Sequence, residues 1–394
     1  MTWAAGRASA WVMNAVAITP VASKRDRREF VDLPYRLYAD DPYWVPPLKD
    51  EIRGLLDPAR NPWFEHGELA FFLARRGDRV VGRISAQIDT LWTDRYPGEG
   101  HWGLFEAEDA ETAHALLEVA QDWLRDRNMV RALGPFSISI WDEPGLLVDG
   151  FDEAPLVMMG HHRPVYREWV EDAGYEKVRD LHTFALDIRW EMTPVVRRLI
   201  DAGEKSDRIR IRDVDKSRFD EEAALILDIL NDAWSDNWGF VPLTDAEIAH
   251  AGKKLRPIIV EDLVKVAEYD GEPVAFMITI PDVNEFLKDL DGKLFPTGWA
   301  KLLWRLRDPS RVSRVRVPLM GVRKSHQRGR LASQLAFMLI EYTRVVCVEK
   351  YGINHGEFGW VLEDNGGMMS IAQLPGAGIN HTYRVYGREL SAAR

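Results

Sequence analysis

The stretch SRVRVPLMGVRKSHQRGRLASQLAFMLI, residues 313–340, decides how the rest of the chain is read. Arg314 and Arg316 alternate with Val315 and Val317, the period of a strand, and a turn carrying glycine and arginine follows. Leu331, Leu335, Leu339 and Tyr342 then fall at helical spacing, so the stretch predicts strand, turn and helix. The first NH groups of a helix have no partner within it, and the helix dipole adds positive potential there. With Arg323, Lys324, Arg328 and Arg330 around them, they form a site suited to a pyrophosphate. Pro318 has no NH to give a neighbour, so the strand is expected to bulge or splay there and leave backbone free for an extended ligand.

At 394 residues, 46% hydrophobic and 29% charged, the chain has room for two domains with proper cores. A net charge of -11 argues against non-specific nucleic-acid binding. The charge is uneven, however. Between 301 and 330 stand Lys301, Arg305, Arg307, Arg311, Arg314, Arg316, Arg323, Lys324, Arg328 and Arg330 against Asp308 alone, a basic face that expects an anion. The single cysteine, Cys347, gives no disulfide framework and suits a reducing, cytoplasmic setting. The apolar run 8–22 is interrupted by Asn14 and Thr19 and preceded by one basic residue, Arg7, so it reads as a leader plus a first strand. No stretch reaches the roughly 18 to 20 continuous apolar residues of a membrane span.

Taken in order, the first half predicts a charged helix at 24–39, a proline-enforced loop, a hairpin of 68–76 and 79–89 about Arg76-Gly77-Asp78, a strand at 101–107, a helix at 110–126 and a strand at 130–136. A helix at 164–173 and a strand at 176–188 close it. The second half repeats the plan: a strand at 208–215, helices at 219–234 and 246–255, and a hairpin of 263–269 and 272–281 about Asp270-Gly271. After the basic strand, turn and helix come a strand at 355–363, a helix at 366–374 and a strand at 381–388. The repetition predicts a duplicated α/β fold with mixed sheets, divided into domains 1–190 and 191–394, with a joint at 187–207.

The halves differ where the chemistry would sit. In the first, the corresponding helix start carries Glu106, Glu108, Asp109 and Glu111, which suit the dipole and repel a pyrophosphate. Only the second half is therefore expected to hold such a ligand. It also carries an insertion, 284–311, in which Trp299, Leu302, Leu303 and Leu306 share a helical face with Trp304 at its margin and Lys301, Arg305 and Arg307 toward the rim. That pattern fits a helix at an anionic membrane surface, through 299–307, or one covering the domain's own sheet.

Broken strand, basic turn and helix together resemble the acyl-CoA site of the GNAT superfamily of N-acyltransferases, whose turn follows Gln/Arg-x-x-Gly-x-Gly/Ala. Gln327 takes the first place and Ala332 the last, while Arg330 stands at the middle glycine, where it either covers the phosphates or blocks backbone approach. The blocks DPYWVPPL, NPWFEHGELAFFLARR, PFSISIWDEPGLLVDGF, NWGFVPL, GWVLEDN and YRVYGREL, spread over nearly the whole chain, resemble bacterial tandem acyltransferase-fold proteins, the bacterial ceramide synthases most of all. The resemblance implies two tandem GNAT-like domains, each a mostly antiparallel mixed sheet splayed at its centre. It also implies acyl-CoA as co-substrate, with no permanently bound cofactor, and transfer of a fatty acyl group to the amine of a sphingoid base, 3-oxosphinganine. The expected location is the cytoplasm or, where the amphipathic insertion meets lipid, the inner face of the cytoplasmic membrane.

An aliphatic ammonium must lose a proton before it attacks a thioester, so a general base is required. The resemblance points to Glu357, with Glu363 behind it; Asp282 and Asn284 are a second choice, or are turn formers. The superfamily's leaving-group tyrosine, counted from Asn365, falls on Ala372. Tyr383 or Tyr386 would replace it, or both are packing residues. Resemblance assigns the CoA cradle to Leu319, Met320 and Val322, whose strand also supplies the oxyanion NH, and to Gln327, Arg328, Gly329, Arg330, Leu331, Ala332 and Asn365. Trp238, Phe240 and Trp360 line the lipid or pantetheine path or belong to the core. The histidines lack metal-ligand spacing, and both a G-x-S-x-G turn and a Walker loop are absent. Two other readings fit the same pattern: an acetyl-CoA-dependent acetyltransferase of small amines, and a non-catalytic acyl-CoA or lipid binder.

Overall fold

The computed structural model describes residues 15–190, 192–374 and 376–390, so most of the expected leader lies outside the described residues. The chain divides into two compact units, Met1–Asp180 with Tyr383–Arg394, and Leu181–Thr382. This differs from the contiguous division 1–190 and 191–394. The expected joint holds a helix, Pro194–Glu204, whose Val196 and Ile200 pack on Phe337 and Met338 in the second unit's core.

The first unit contains β1 (Ala17–Pro20), β2 (Gly67–Arg76), β3 (Arg79–Asp89), β4 (Glu99–Ala107), β5 (Arg131–Gly134), β6 (Leu146–Asp149) and the start of β7 (Glu176–Asp187). Strands β1 to β4 pair antiparallel, the β2–β3 hairpin turning at Gly77, whose φ of 59° is one that glycine adopts without strain. β4 and β5 run parallel, joined by the helix Ala110–Arg125. Its Leu116, Leu117 and Leu124 are fully buried against Ile84, Trp102 and Phe105, the burial that holds helix and sheet together. The strand at 146–149 was not read from the sequence; its residues Leu146 and Val148 join this same core.

The second unit contains the rest of β7, then β8 (Ile209–Asp213), β9 (Val264–Tyr269), β10 (Glu272–Pro281), β11 (Arg314–Val322), β12 (His355–Leu362) and the start of β13 (Gly378–Glu389). β8 to β11 pair antiparallel in order, β11 and β12 run parallel, and β12 pairs antiparallel with β7. The helix Arg330–Val345 makes the parallel crossover and buries Leu335, Ala336 and Leu339 on Ala267, Ala275, Met277 and Met320. Continued to Lys350, it is long and apolar enough to cross a bilayer, but this packing makes it a core helix.

The two units share a finer feature. β3 and β4 shift register between Ser85↔Gly103 and Arg83↔Glu106; β10 and β11 do so between Ile280↔Arg316 and Ile278↔Leu319. The bulge falls at the same topological place in both, as a duplication requires. Pro318 lies within the second bulge, where a residue without an NH costs no ladder bond.

In the insertion, the helix Gly298–Leu306 splits its apolar residues instead of presenting one face. Leu302 and Leu306 pack on the cluster of Phe286, Val312 and Ile353, while Trp299, Leu303 and Trp304 point to solvent with Phe295, which is 81% exposed.

Candidate functional site

The parallel ladder between β11 and β12 ends at Val317↔Phe358, directly before Pro318. β11 continues beside β10 through Val322, and β12 beside β7 through Leu362, so the two strands part. Alternate NH groups of a strand face opposite edges, so part of the backbone of Leu319, Met320 and Val322 faces the opened edge. Trp234 Nε1 donates to the carbonyl of Met320 at 3.0 Å, and its ring lies 6.4 Å from that of Trp360 on β12, an aromatic pair at the opening. Of the three aromatics expected to line the path, Trp360 stands here, Trp238 is partly exposed, and Phe240 is a core residue at 5% exposure.

The helix Arg330–Val345 starts from Gly329 with φ 82° and no side-chain cap. A Cβ built on Gly329 would meet nothing within 4 Å, so the helix start faces open space. The Gln327 amide does not face outward; it donates to the carbonyls of Val322 (2.8 Å) and Ala233 (3.2 Å), which pins the turn. Leu331 packs on the core beneath and can offer a ligand only backbone, as can Ala332.

The expected basic face is largely neutralised. Lys301 and Arg305 pair with Asp289, Arg311 with Asp308, Arg314 with Asp282, Arg323 with Asp228 and Lys324 with Asp236. Apart from Asp308, these acids lie outside the basic run and fold back on it, which counting along the chain could not reveal. Among the described residues no acid pairs with Arg307, Arg328 or Arg330, all exposed. The phosphate cations expected at Arg323 and Lys324 are therefore reduced to Arg328 and Arg330. Asn365 is likewise committed elsewhere: its side chain caps the helix Gly366–Gln373 by accepting from the NH of Met368 at 3.1 Å.

One register step before the ladder ends, Arg316 and Glu357 stand side by side, each 2% exposed. Arg316 Nε lies 3.6 Å from Glu357 Oε1, and its Nη2 donates to the carbonyl of Gly359 at 2.8 Å. Asn380 Nδ2 donates to Glu357 Oε2 at 2.9 Å, and His381 Nδ1 lies 3.7 Å from the same oxygen. Glu357 Oε1 itself accepts no hydrogen bond among the described residues. Burial pushes this carboxyl up, but His381, Arg316 and Asn380 together hold it below the usual range. The carboxylate is therefore ionised at neutral pH, with one oxygen that accepts no hydrogen bond among the described residues.

The other proposed acids and bases are not part of this cluster. Glu363 follows the end of β12, roughly 20 Å along the chain from Glu357 at strand rise, too far to back it. Asp282 is fully buried and accepts from Arg314 Nη2 at 2.6 Å, and Asn284 opens the short helix Asn284–Leu287, so the pair builds the corner after β10. Tyr383 and Tyr386 belong to the first unit, where their buried hydroxyls donate to the carbonyl of Gly160 (3.0 Å) and to Glu171 (2.9 Å). They are packing residues with satisfied hydroxyls, and Ala372, where a leaving-group tyrosine was sought, is buried beside Phe184 and Val361.

Asn380, His381 and Thr183 were missed. The available signal was a repeated His-Thr-aromatic triplet, His182-Thr183-Phe184 and His381-Thr382-Tyr383, polar pairs in otherwise apolar strands. The structure sets them cross-strand, His182 Nδ1 3.2 Å from Thr382 Oγ1 and Thr183 Oγ1 3.4 Å from His381 Nδ1.

No protein-family model matches the chain. It is 43% identical over 379 residues to the bacterial ceramide synthase of Caulobacter vibrioides, covering 95% of this chain and 98% of that one. The chain belongs to the bacterial ceramide synthase family. Protein YghO of Escherichia coli is also similar, at 40% identity over 93% of this chain and 94% of its own. Among solved structures, a tandem GNAT protein from the clavulanic acid biosynthesis pathway superposes with a TM-score of 0.55 at 14% identity, covering 96% of this chain and all of that one. A GCN5-related N-acetyltransferase from Sphaerobacter thermophilus gives 0.52 at 13% identity, over 95% and 96% of the two chains. The fold is that of the tandem GNAT proteins, and this ceramide synthase relative is an N-acyltransferase.

Proposed function

We propose that the second unit transfers a long-chain fatty acyl group from acyl-CoA to the amine of a sphingoid base, 3-oxosphinganine, giving a ceramide-type amide. The observation that carries the reading is Glu357: buried, ionised, with Oε1 accepting no hydrogen bond among the described residues, next to the point where β11 and β12 part. In this reading the CoA diphosphate lies on the NH groups that follow Gly329, with the exposed Arg328 and Arg330 closing over it. Pantetheine pairs with the opened edge of β11 at Leu319, Met320 and Val322, whose NH groups also meet the oxyanion. Glu357 Oε1 takes a proton from the ammonium. The amine nitrogen then bonds to the thioester carbon, the C–S bond breaks, and the second nitrogen proton ends on the CoA sulfur.

Incubation with palmitoyl-CoA and 3-oxosphinganine, followed by mass spectrometry, is expected to give free CoA and the amide in equal amounts. A donor series separates this reading from small-amine acetylation: palmitoyl-CoA should outrun acetyl-CoA by at least about tenfold, since each buried methylene contributes about 0.8 kcal/mol. Equal rates along the series, or no amide, would remove it.

The same reading places the enzyme on an anionic membrane surface, where such substrates reside. Phe295, Trp299, Leu303 and Trp304 are outward apolar residues, with the exposed Arg307 following in sequence and Arg311 stacked 3.5 Å over the Trp304 ring. Co-sedimentation with phosphatidylglycerol vesicles should be strong, weak with phosphatidylcholine, and lost in the double variant Trp299→Ser, Trp304→Ser. Equal binding of that variant to the anionic vesicles would discard the surface.

A further inference from the structure

The amide of Asn380 touches three groups, and its chemistry fixes how it sits. Thr183 Oγ1 lies 2.7 Å from Asn380 Oδ1, Glu357 Oε2 lies 2.9 Å from Nδ2, and His381 Nδ1 also lies 2.9 Å from Nδ2. An ionised carboxylate only accepts, so the amide nitrogen must face Glu357 and the amide oxygen must face Thr183, whose hydroxyl donates. One amide hydrogen then serves Glu357 Oε2, and the amide oxygen is held by Thr183.

We infer that Asn380 is the positioning residue of the base. It holds Oε2 of Glu357 and so directs Oε1 to the substrate ammonium, while Thr183 prevents the amide from turning over. The inference rests on the proposed role of Glu357. Arg316 cannot do this alone: at 3.6 Å its Nε balances the charge near Oε1 without holding the carboxylate in one rotation. The groups facing Glu357 are thus Arg316 from β11, Asn380 and His381 from β13, with Thr183 of β7 behind them. Asn380 is half-buried, unlike its partners, so it accepts substitution without opening the core.

The test uses the whole protein and palmitoyl-CoA, and reads kcat, KM and the acid limb of kcat/KM. Asn380→Asp sets a second carboxylate against Glu357 and should move that limb up by about one to two pH units. Asn380→Ala should lower kcat about tenfold, with KM for acyl-CoA unchanged within about twofold. Thr183→Val should repeat the loss in kcat and Thr183→Ser should restore it, a rescue that a packing role would not give.

An unmoved acid limb in Asn380→Asp, or Thr183→Ser as slow as Thr183→Val, would overturn the inference. Glu357→Gln, assayed in parallel, separates the two levels. If it turns over normally, the base assignment and this inference fall together; if it is inactive while the Asn380 variants match the parent, only the positioning role falls.

Discussion

The two units carry the same strand opening and treat it in opposite ways. In the second, β11 and β12 part after Val317↔Phe358, beside the charged pair Arg316 and Glu357. In the first, the β4–β5 ladder ends at His101↔Leu133, and the shared register sets Gly103 in the place of Arg316 and Pro135 in that of Glu357. The chain then fills its own gap. The NH of Phe136 donates to the carbonyl of Trp102, the carbonyls of Phe136 and Ile138 accept from Gln87, and a Cβ on Gly103 would fall 1.6 Å from the Phe136 oxygen.

The helix starts differ likewise. Asp109 caps Ala110–Arg125 by accepting from the NH of Thr112 and pairs with Arg76, which also holds Glu111; Gly329 leaves its helix uncapped and open. Satisfied backbone and acidic caps make a stable domain, whereas unsatisfied backbone makes a place for a ligand.

The largest expected effect sets one buried carboxylate against the other. Glu357→Gln should lower kcat by about 10²- to 10⁴-fold in steady-state assays, the usual share of a general base. Glu106→Gln, whose parent accepts from Tyr38 and Tyr166 in the first unit, should leave kcat per folded molecule unchanged and cost about 1–3 kcal/mol in a urea melt.

Next comes stability. Arg316→Met leaves Glu357 buried without its cation and should cost about 3–5 kcal/mol. Arg76→Met breaks only a partly exposed network and should cost less than about 1 kcal/mol.

Converting one helix start into the other is smaller. Arg328→Glu with Arg330→Glu should raise KM for acyl-CoA about tenfold, less so at high salt, while Glu111→Lys should leave KM unchanged.

The smallest contrast is in pH. Glu357 is held below its ordinary 4.5, so the stability it contributes is present above that value and lost as the pH falls through the lowered one. Burial raises Glu106 against Arg83 and the two tyrosines, so protonation there favours the folded state instead. Urea melts from pH 5 to pH 3 should show Arg316→Met, which lacks the depressing cation, losing less on acidification than the parent; an equal loss would show that Glu357 is not what titrates.

Much of this was legible in the sequence because it rests on local periodicity. The hairpins at Gly77 and Gly271, the break at Pro318, the basic turn and the acidic first-half helix start are all written in consecutive residues. What was not legible required partners far apart in the chain. Asp228, Asp236 and Asp289 neutralise arginines and lysines that looked free, and β13 brings Asn380 to Glu357. The split of the helix Gly298–Leu306 into an inward and an outward apolar side was hidden for the same reason, since periodicity does not say what each side meets.

The most direct measurement is a crystal structure with a non-hydrolysable palmitoyl-CoA analogue. The diphosphate is expected within hydrogen-bond distance of the NH groups of Arg330, Leu331 and Ala332, and the acyl carbonyl beside β11 with the amine side open to Glu357. A diphosphate seated at the Ala110 helix start, or a thioester remote from Glu357, would contradict that placement.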